Sequence, residues 1–429
     1  MGTRYQKSEE LLQRAEQSIP LGSQTFSKSR TALPYGVSPY FLERGRGSRV
    51  WDVDGNEYID FVNALLCVSL GYGDPEVDAA VQEQMKSGVI FSLPHRLEME
   101  VAESLIEIIP CAESVRFAKN GSDATSGAIR LARAYTGREH VAVCGYHGWQ
   151  DWYIGSTARN LGVPQCVRDL THTFVYNDIQ SLECILEAHQ GKVAAVIMEP
   201  MNVQWPREGY LEAVARVARQ HGALLIFDET ITGFRFSLGG AQELFGVTPD
   251  LATFGKGLAN GYPLSAVVGR REIMKLMEEI FFSGTFGGET ISLAAARAVL
   301  HKLRTQPLLQ HMHHLGKHLL EQLQLVIDQH DASHIFSLSG HPAWSFLNIR
   351  DTEGASMWQV KTFLMQEMHA RGILTLGTHN ISAAHSEEDI DRLLAAYRQV
   401  IPAVVEGVAS KNLAQKIEGR VLEPLFRVR

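Results

Sequence analysis

The sequence predicts an α/β fold: a large domain whose mostly parallel sheet is covered by helices on both faces, plus a small α+β domain built from both chain ends. Three observations predict it. Strand and helix signals alternate from about residue 75 to about residue 300. The strand candidates there, Val141–Cys144, Val193–Met198, Ala223–Phe227 and Leu251–Phe254, are uninterrupted apolar runs, the mark of strands buried on both faces. The first and last parts of the chain differ from this middle, which sets the boundaries at 1–75, 76–304 and 305–429.

In chain order, Ser8 is expected to cap a helix with Glu9 and Glu10 in its first turn and Leu11, Leu12, Ala15 and Ile19 on its apolar face, ended by Pro20 and Gly22. The segment 49–61 alternates apolar and polar residues around Asp54-Gly55-Asn56, which predicts a β-hairpin. Helical stretches such as Gly209–Arg219 separate the central strands, and Leu264–Gly269 is a further strand-like run. Ser386-Glu-Glu-Asp389 opens a capped C-terminal helix with Ile390, Leu393, Leu394 and Tyr397 on one face.

Composition narrows the class. A chain of 429 residues that is 45% hydrophobic can bury a large core. Its net charge of −8 argues against nucleic acid or an anionic membrane as partner. The five cysteines lack CxxC spacing, so no metal site or disulfide framework is expected. There is no N-terminal signal core and no apolar run of spanning length, and a cytoplasmic location is the expectation. Neither G-x-G-x-x-G nor a P-loop follows a strand, which disfavours a nucleotide.

Chemistry is predicted at the strand ends. In parallel sheets, ligands bind beyond the carboxyl ends of the strands. Glu199, Asp228 and Lys256 each follow an apolar strand there. A lysine is ordinarily a solvated surface charge. Lys256, held between Gly255 and Gly257 at a buried strand end, is instead placed to act as an amine nucleophile toward an aldehyde. Asp228 needs a cationic partner, either a structural one such as Arg235 or a protonated ring nitrogen. Lys119-Asn-Gly-Ser-Asp-Ala opens an amphipathic helix, where Gly121 and Ser122 form either an ordinary cap or an anion site. Cys144-Gly-Tyr-His-Gly places Tyr146 and His147 at a strand end, as a stacking pair for a planar ligand or as core residues.

The order of these segments, through Glu199-Pro, Phe227-Asp-Glu, Phe254-Gly-Lys-Gly and Ser283-Gly-Thr, resembles the class III, fold-type-I pyridoxal-phosphate aminotransferases, and within them the glutamate-1-semialdehyde aminomutase group. The likeness covers nearly the whole chain. It implies pyridoxal 5′-phosphate as cofactor, with Lys256 as the Schiff-base lysine and Asp228 on the pyridine nitrogen. It further implies Thr230 on one ring face, Tyr146 on the other with His147 beside it, Gly121 and Ser122 on the phosphate, and Glu199 near the active site. Thr285 would reach the phosphate of a neighbouring subunit, which implies a homodimer with shared sites. The implied reaction is ping-pong transfer of an amino group between small molecules, with the freed Lys256 amine moving a proton from the donor's Cα.

The resemblance weakens at the substrate end. Lys28 falls where the aminomutases carry an arginine, Leu65 where they carry tryptophan, and Gly377-Thr-His-Asn380 where they carry a Phe-Glu pair. A rebuilt substrate pocket is therefore expected. Gln24, Lys28, His379 and Asn380 are its polar candidates, with a keto or aldehyde sugar as acceptor. The alternatives are a true aminomutase and a non-catalytic cofactor-binding regulator.

Overall fold

The computed structural model describes residues 4–423. They divide into two compact units, a smaller one of residues 4–65, 69–74 and 310–423 and a larger one of residues 66–68 and 75–309.

In the larger unit seven strands form one sheet, in the order Ser114–Ala118, Ser265–Gly269, Leu251–Phe254, Leu224–Asp228, Val193–Met198, His140–Cys144 and Thr171–Thr173. All run parallel except Ser265–Gly269, which pairs antiparallel with both neighbours. Val193–Met198, Leu224–Asp228, Leu251–Phe254 and Ser265–Gly269 are buried at every position, which explains their unbroken apolar runs. Helix Gly121–Thr136 lays Ala124, Ala128, Leu131 and Ala132 into the core that holds Val143, Ile197 and Ile226. Small alanines let the helix approach the sheet, while each large aliphatic side chain buried there contributes about 1.5–3 kcal/mol. Two strands gave no clear signal in the sequence. Ser114–Ala118 is an edge strand interrupted by Arg116, and Thr171–Thr173 is an edge strand of three residues.

The smaller unit holds a sheet of Leu42–Arg46, Arg49–Asp52, Glu57–Asp60 and Ile373–Leu374, and a second of Phe336–His341, Trp344–Ile349 and Thr378–Asn380. The hairpin turns at Gly55, whose φ of 89° suits glycine. The first helix is capped differently from expectation. It spans Gln6–Glu16, so Ser8 lies inside it and is buried. The capping carboxylate is Asp54 of the hairpin turn, which accepts from the Lys7 and Ser8 N–H groups at 2.8 and 3.0 Å. Ser386 does cap helix Glu387–Ala409, in a capping box with Asp389. Asn63, Ala64, Leu65 and Leu66 form a left-handed turn, with φ of 48°, 49°, 60° and 72°. Among the described residues no helix is long and apolar enough to cross a membrane.

Candidate active site

The carboxyl ends of the central strands carry the chemistry. The strand Leu224–Asp228 ends on Asp228, whose carboxylate is buried and held by several donors. Its Oδ1 accepts from the Thr230 N–H at 3.1 Å, the Thr230 hydroxyl at 2.6 Å and the Thr253 hydroxyl at 3.0 Å. Its Oδ2 lies 2.9 Å from Nδ1 of His147. Oδ1 is therefore saturated, while Oδ2 keeps a lone pair for one more donor. Burial alone would raise this carboxyl's pKa, but His147 and Thr230 outweigh it and hold it below the ordinary carboxylate value. The Asp228 charge is thus fixed by His147, Thr230 and Thr253, and Arg235 is not its partner.

His147 is itself locked in place. Its Nε2 lies 3.1 Å from the Cys144 carbonyl and its backbone carbonyl accepts from the Thr125 hydroxyl at 2.8 Å. The ring thus sits between two acceptors, the Cys144 carbonyl and the Asp228 carboxylate.

Tyr146, next along, is 48% exposed, with its ring edge-on to Tyr153 at 5.6 Å. A half-exposed aromatic ring suits stacking on a planar group. Its N–H donates to Oε2 of Glu199 at 3.0 Å, and Asn202 donates to the same oxygen at 2.7 Å. Burial, then repulsion from Asp228, raises the pKa of the Glu199 carboxyl. Glu199 fixes the Gly145–Tyr146 turn by these bonds. A Cβ on Gly145, where φ is 104°, would stand 2.5 Å from Glu199 Oε2.

Helix Gly121–Thr136 starts beside this loop. Asn120 is its N-cap residue and bonds Asp123 through its N–H at 2.9 Å. Gly121 and Ser122 thus supply first-turn N–H groups, which have no acceptor within the helix. The Ser122 hydroxyl accepts from the Trp149 N–H at 3.3 Å and keeps its own proton to donate. A Cβ on Gly121 would come within 3.1 Å of Thr230 Cγ2, so only glycine leaves that approach open.

Lys256 follows the strand Leu251–Phe254 in a short 3₁₀ turn, Lys256–Ala259, with its own φ at 40°. It is half-buried, less desolvated than its strand-end position suggests, and its amine meets no hydrogen-bond or ion-pair partner among the described residues. One group at this end of the sheet is thus left free to react, while the groups around it are held.

The residue set Lys256, Asp228, Thr230, Tyr146, His147, Glu199, Gly121 and Ser122 lies in one unit, at the same sheet end. Thr285 is in that unit too, on an exposed segment with Phe281 and Phe286, 85% and 59% exposed. A model of the aminotransferase class-III family matches residues 32–386. The chain belongs to the class-III aminotransferases. It is 37% identical to the 3-aminobutyryl-CoA aminotransferase of Cloacimonas acidaminovorans, over 93% of this chain and 97% of that one. It is 35% identical to glutamate-1-semialdehyde 2,1-aminomutase 2 of Brevibacillus brevis, over 92% and 98% of the two chains. The FumI protein of Sphingopyxis sp. MTA144, solved in a pyridoxal-phosphate form, superposes with a TM-score of 0.86 at 30% identity, covering 95% of this chain and 98% of that one. The cofactor of this class-III enzyme is pyridoxal 5′-phosphate. The residues fit it: a spare acceptor on Asp228, an amine on Lys256 with no partner among the described residues, a half-exposed ring on Tyr146 and first-turn N–H groups at Gly121 and Ser122.

Thr253 and Asn202 were missed in the sequence. Thr253 is the one polar residue inside an apolar strand, a signal that could have been used. Asn202 carried none.

The substrate candidates fare differently. His379 is fully buried, its Nδ1 2.9 Å from the Ser345 hydroxyl and its Nε2 2.8 Å from the Tyr397 hydroxyl, so neither nitrogen is free for a ligand. Asn380 donates through Nδ2 to the Val62 carbonyl at 2.8 Å, while its Oδ1 has no hydrogen-bond partner among the described residues. Gln24 is exposed. Lys28 lines a cavity of about 270 Å³ within the smaller unit, whose other walls include Leu33, Tyr40, Leu42, Val62 and Leu376.

Proposed function

We propose that the enzyme transfers an amino group between two separate small molecules and does so as a homodimer. The observation that carries the first part is the pairing of an uncommitted Lys256 amine with an Asp228 carboxylate fixed by four bonds yet open at Oδ2. When bound, the cofactor supplies an aldehyde that joins amines and a protonated pyridine ring that accepts electrons. Lys256 Nζ would hold that aldehyde, and its amine would be the base for a proton at the donor's Cα. Asp228 Oδ2 keeps the proton on the ring nitrogen, and His147 keeps Asp228 ionised and oriented. Tyr146 covers one ring face and excludes water there. Thr230 lines the opposite face. The N–H groups of Gly121 and Ser122 and the Ser122 hydroxyl hold the phosphate. Glu199 positions Tyr146 through its N–H.

The many aliphatic walls of the Lys28 cavity support a substrate with an aliphatic body rather than a polyhydroxylated sugar. The name of the Cloacimonas relative points the same way, to an amine on a short acyl chain. Exposure of Thr285 among exposed aromatic residues supports its reaching the cofactor phosphate of a second subunit.

Aminomutase relatives keep intramolecular transfer as a second reading. One experiment separates the two. The aminated enzyme is mixed with glutamate semialdehyde and, separately, with 3-oxoacyl thioesters and simple ketones. Fast reaction with the oxo compounds and slow reaction with the semialdehyde is expected. Fast formation of aminolevulinate would overturn the proposal. Sedimentation of the loaded enzyme as a monomer would overturn the dimer.

A further inference from the structure

At the other end of the same sheet lies a cluster that the transfer reaction does not use. His140 begins the strand His140–Cys144, His172 lies in the edge strand Thr171–Thr173, and His189 ends helix Ile179–Ala188. Parallel pairing sets Ala142, two residues beyond His140, opposite His172, and the His140 and His172 rings meet directly. The chain reverses after the helix, and the Lys192 carbonyl accepts from the His140 N–H at 3.0 Å, which brings His189 back beside these rings.

The three imidazoles meet. Nδ1 of His140 lies 2.9 Å from Nε2 of His172. The His172 and His189 rings are 4.0 Å apart and the His140 and His189 rings 4.6 Å apart, all nearly parallel. One nitrogen from each ring lies within 4.8 Å of the others. Each side chain is half-buried, so water and ions reach the cluster.

We propose that His140, His172 and His189 form a binding site for a divalent cation of the zinc class, separate from the catalytic site. Three imidazole nitrogens with solvent on the fourth side suit Zn²⁺, Ni²⁺ or Cu²⁺ better than the oxygen-seeking Mg²⁺ or Ca²⁺. The ligand nitrogens of a tetrahedral zinc lie roughly 3.3 Å apart. The His140–His172 pair therefore spreads slightly, and His189 turns about its ring torsion to close the third side. For both facing nitrogens to ligate, the proton between His140 and His172 moves to the other nitrogen of its own ring, so each histidine binds as a neutral imidazole. The strand from His140 to Cys144 puts about 13 Å between this cluster and the Gly145 turn. The ion is therefore structural. It ties an edge strand and a helix end to the first residue of an inner strand.

The test uses the untagged full chain loaded with pyridoxal phosphate. Zn²⁺ is titrated by calorimetry, and Co²⁺ by its visible absorption. One bound ion per chain and a higher melting temperature are expected. His172→Gln and His189→Gln should each weaken binding by about tenfold or more. A His314→Ala/His318→Ala double variant, on the separate helix Leu308–Gln329, should bind as the parent does. Retained cofactor absorbance shows that each variant folds. Equal affinity in the parent and both glutamine variants would overturn the proposal. So would loss of binding in the double variant, or no binding by the parent at submillimolar metal.

Discussion

Asp228 and His379 are both buried polar residues of β-strands, one at a strand end and one in mid-strand, yet they have opposite characters. Asp228 is held by four bonds and still has an acceptor position free, and the Lys256 amine in the same unit has no hydrogen-bond or ion-pair partner among the described residues. His379 has both ring nitrogens committed to Ser345 and Tyr397. A polar core and a reactive site contain the same kinds of residue. What separates them is hydrogen-bonding capacity left over once the fold is complete.

The strongest test of that contrast replaces the held groups. Asp228→Ala should lower turnover by about a thousandfold or more while leaving the fold intact, because it removes charge at a fixed point in the reaction. His379→Ala should do the reverse, lowering stability by about 2 kcal/mol with little change in turnover per folded molecule. Denaturation curves beside kcat measurements check both, and a catalytic collapse in His379→Ala would break the contrast.

Protonation should sharpen it further. Burial lowers the pKa of His369 and His379 to about 4, and His385 is also shifted down by burial. The unfolded chain takes up protons near pH 6.5, but the folded smaller unit does so only at lower pH. Stability is therefore complete above about pH 6.5 and lost as pH falls toward 4, by several kcal/mol in all. The Asp228 carboxyl has its pKa lowered from 3.8, so its contribution is lost only in stronger acid. Hydrogen exchange between pH 7 and pH 5 should show the smaller unit's amides losing protection first. Uniform loss in both units would count against this.

A smaller effect is expected at Gly145→Ala. The added methyl meets Glu199 at a φ that favours glycine, so the Tyr146 turn should shift and cofactor affinity should fall by about tenfold. Smallest of all, Ala64→Gly in the left-handed turn should raise stability by about 0.5–1 kcal/mol, since a left-handed residue costs about 1–2 kcal/mol and glycine relieves it. A fall in melting temperature would show that the Ala64 methyl, which lines the Lys28 cavity, matters more than the strain.

The sequence was most legible where a single period dominates. Val193–Met198 and Leu251–Phe254 are buried at every position and read as strands at sight. The end residues Glu199, Asp228 and Lys256 then followed from where parallel sheets bind ligands. Thr171–Thr173 was illegible because three polar residues at an edge have no period. Ser8 misled because a serine before two glutamates fits a cap, whereas the capping carboxylate came from Asp54, 46 residues away. His379 misled for a related reason: its type shows that it can bond, not that its partners are already in the fold. The three clustered histidines are far apart in sequence, and the strand pairing and the helix end bring them together.

The connection that carries Lys256 has a further consequence. Residues 255–264 join two fully buried, hydrogen-bonded strands, Leu251–Phe254 and Ser265–Gly269. Its two ends are therefore pinned to the sheet, and the backbone there cannot follow a ligand. The travel available to the amine is the swing of its own four-carbon stem. With the role proposed for Lys256, a substrate must deliver its reacting carbon inside that arc, so fit is judged by where a substrate stops and not by how far the lysine can stretch.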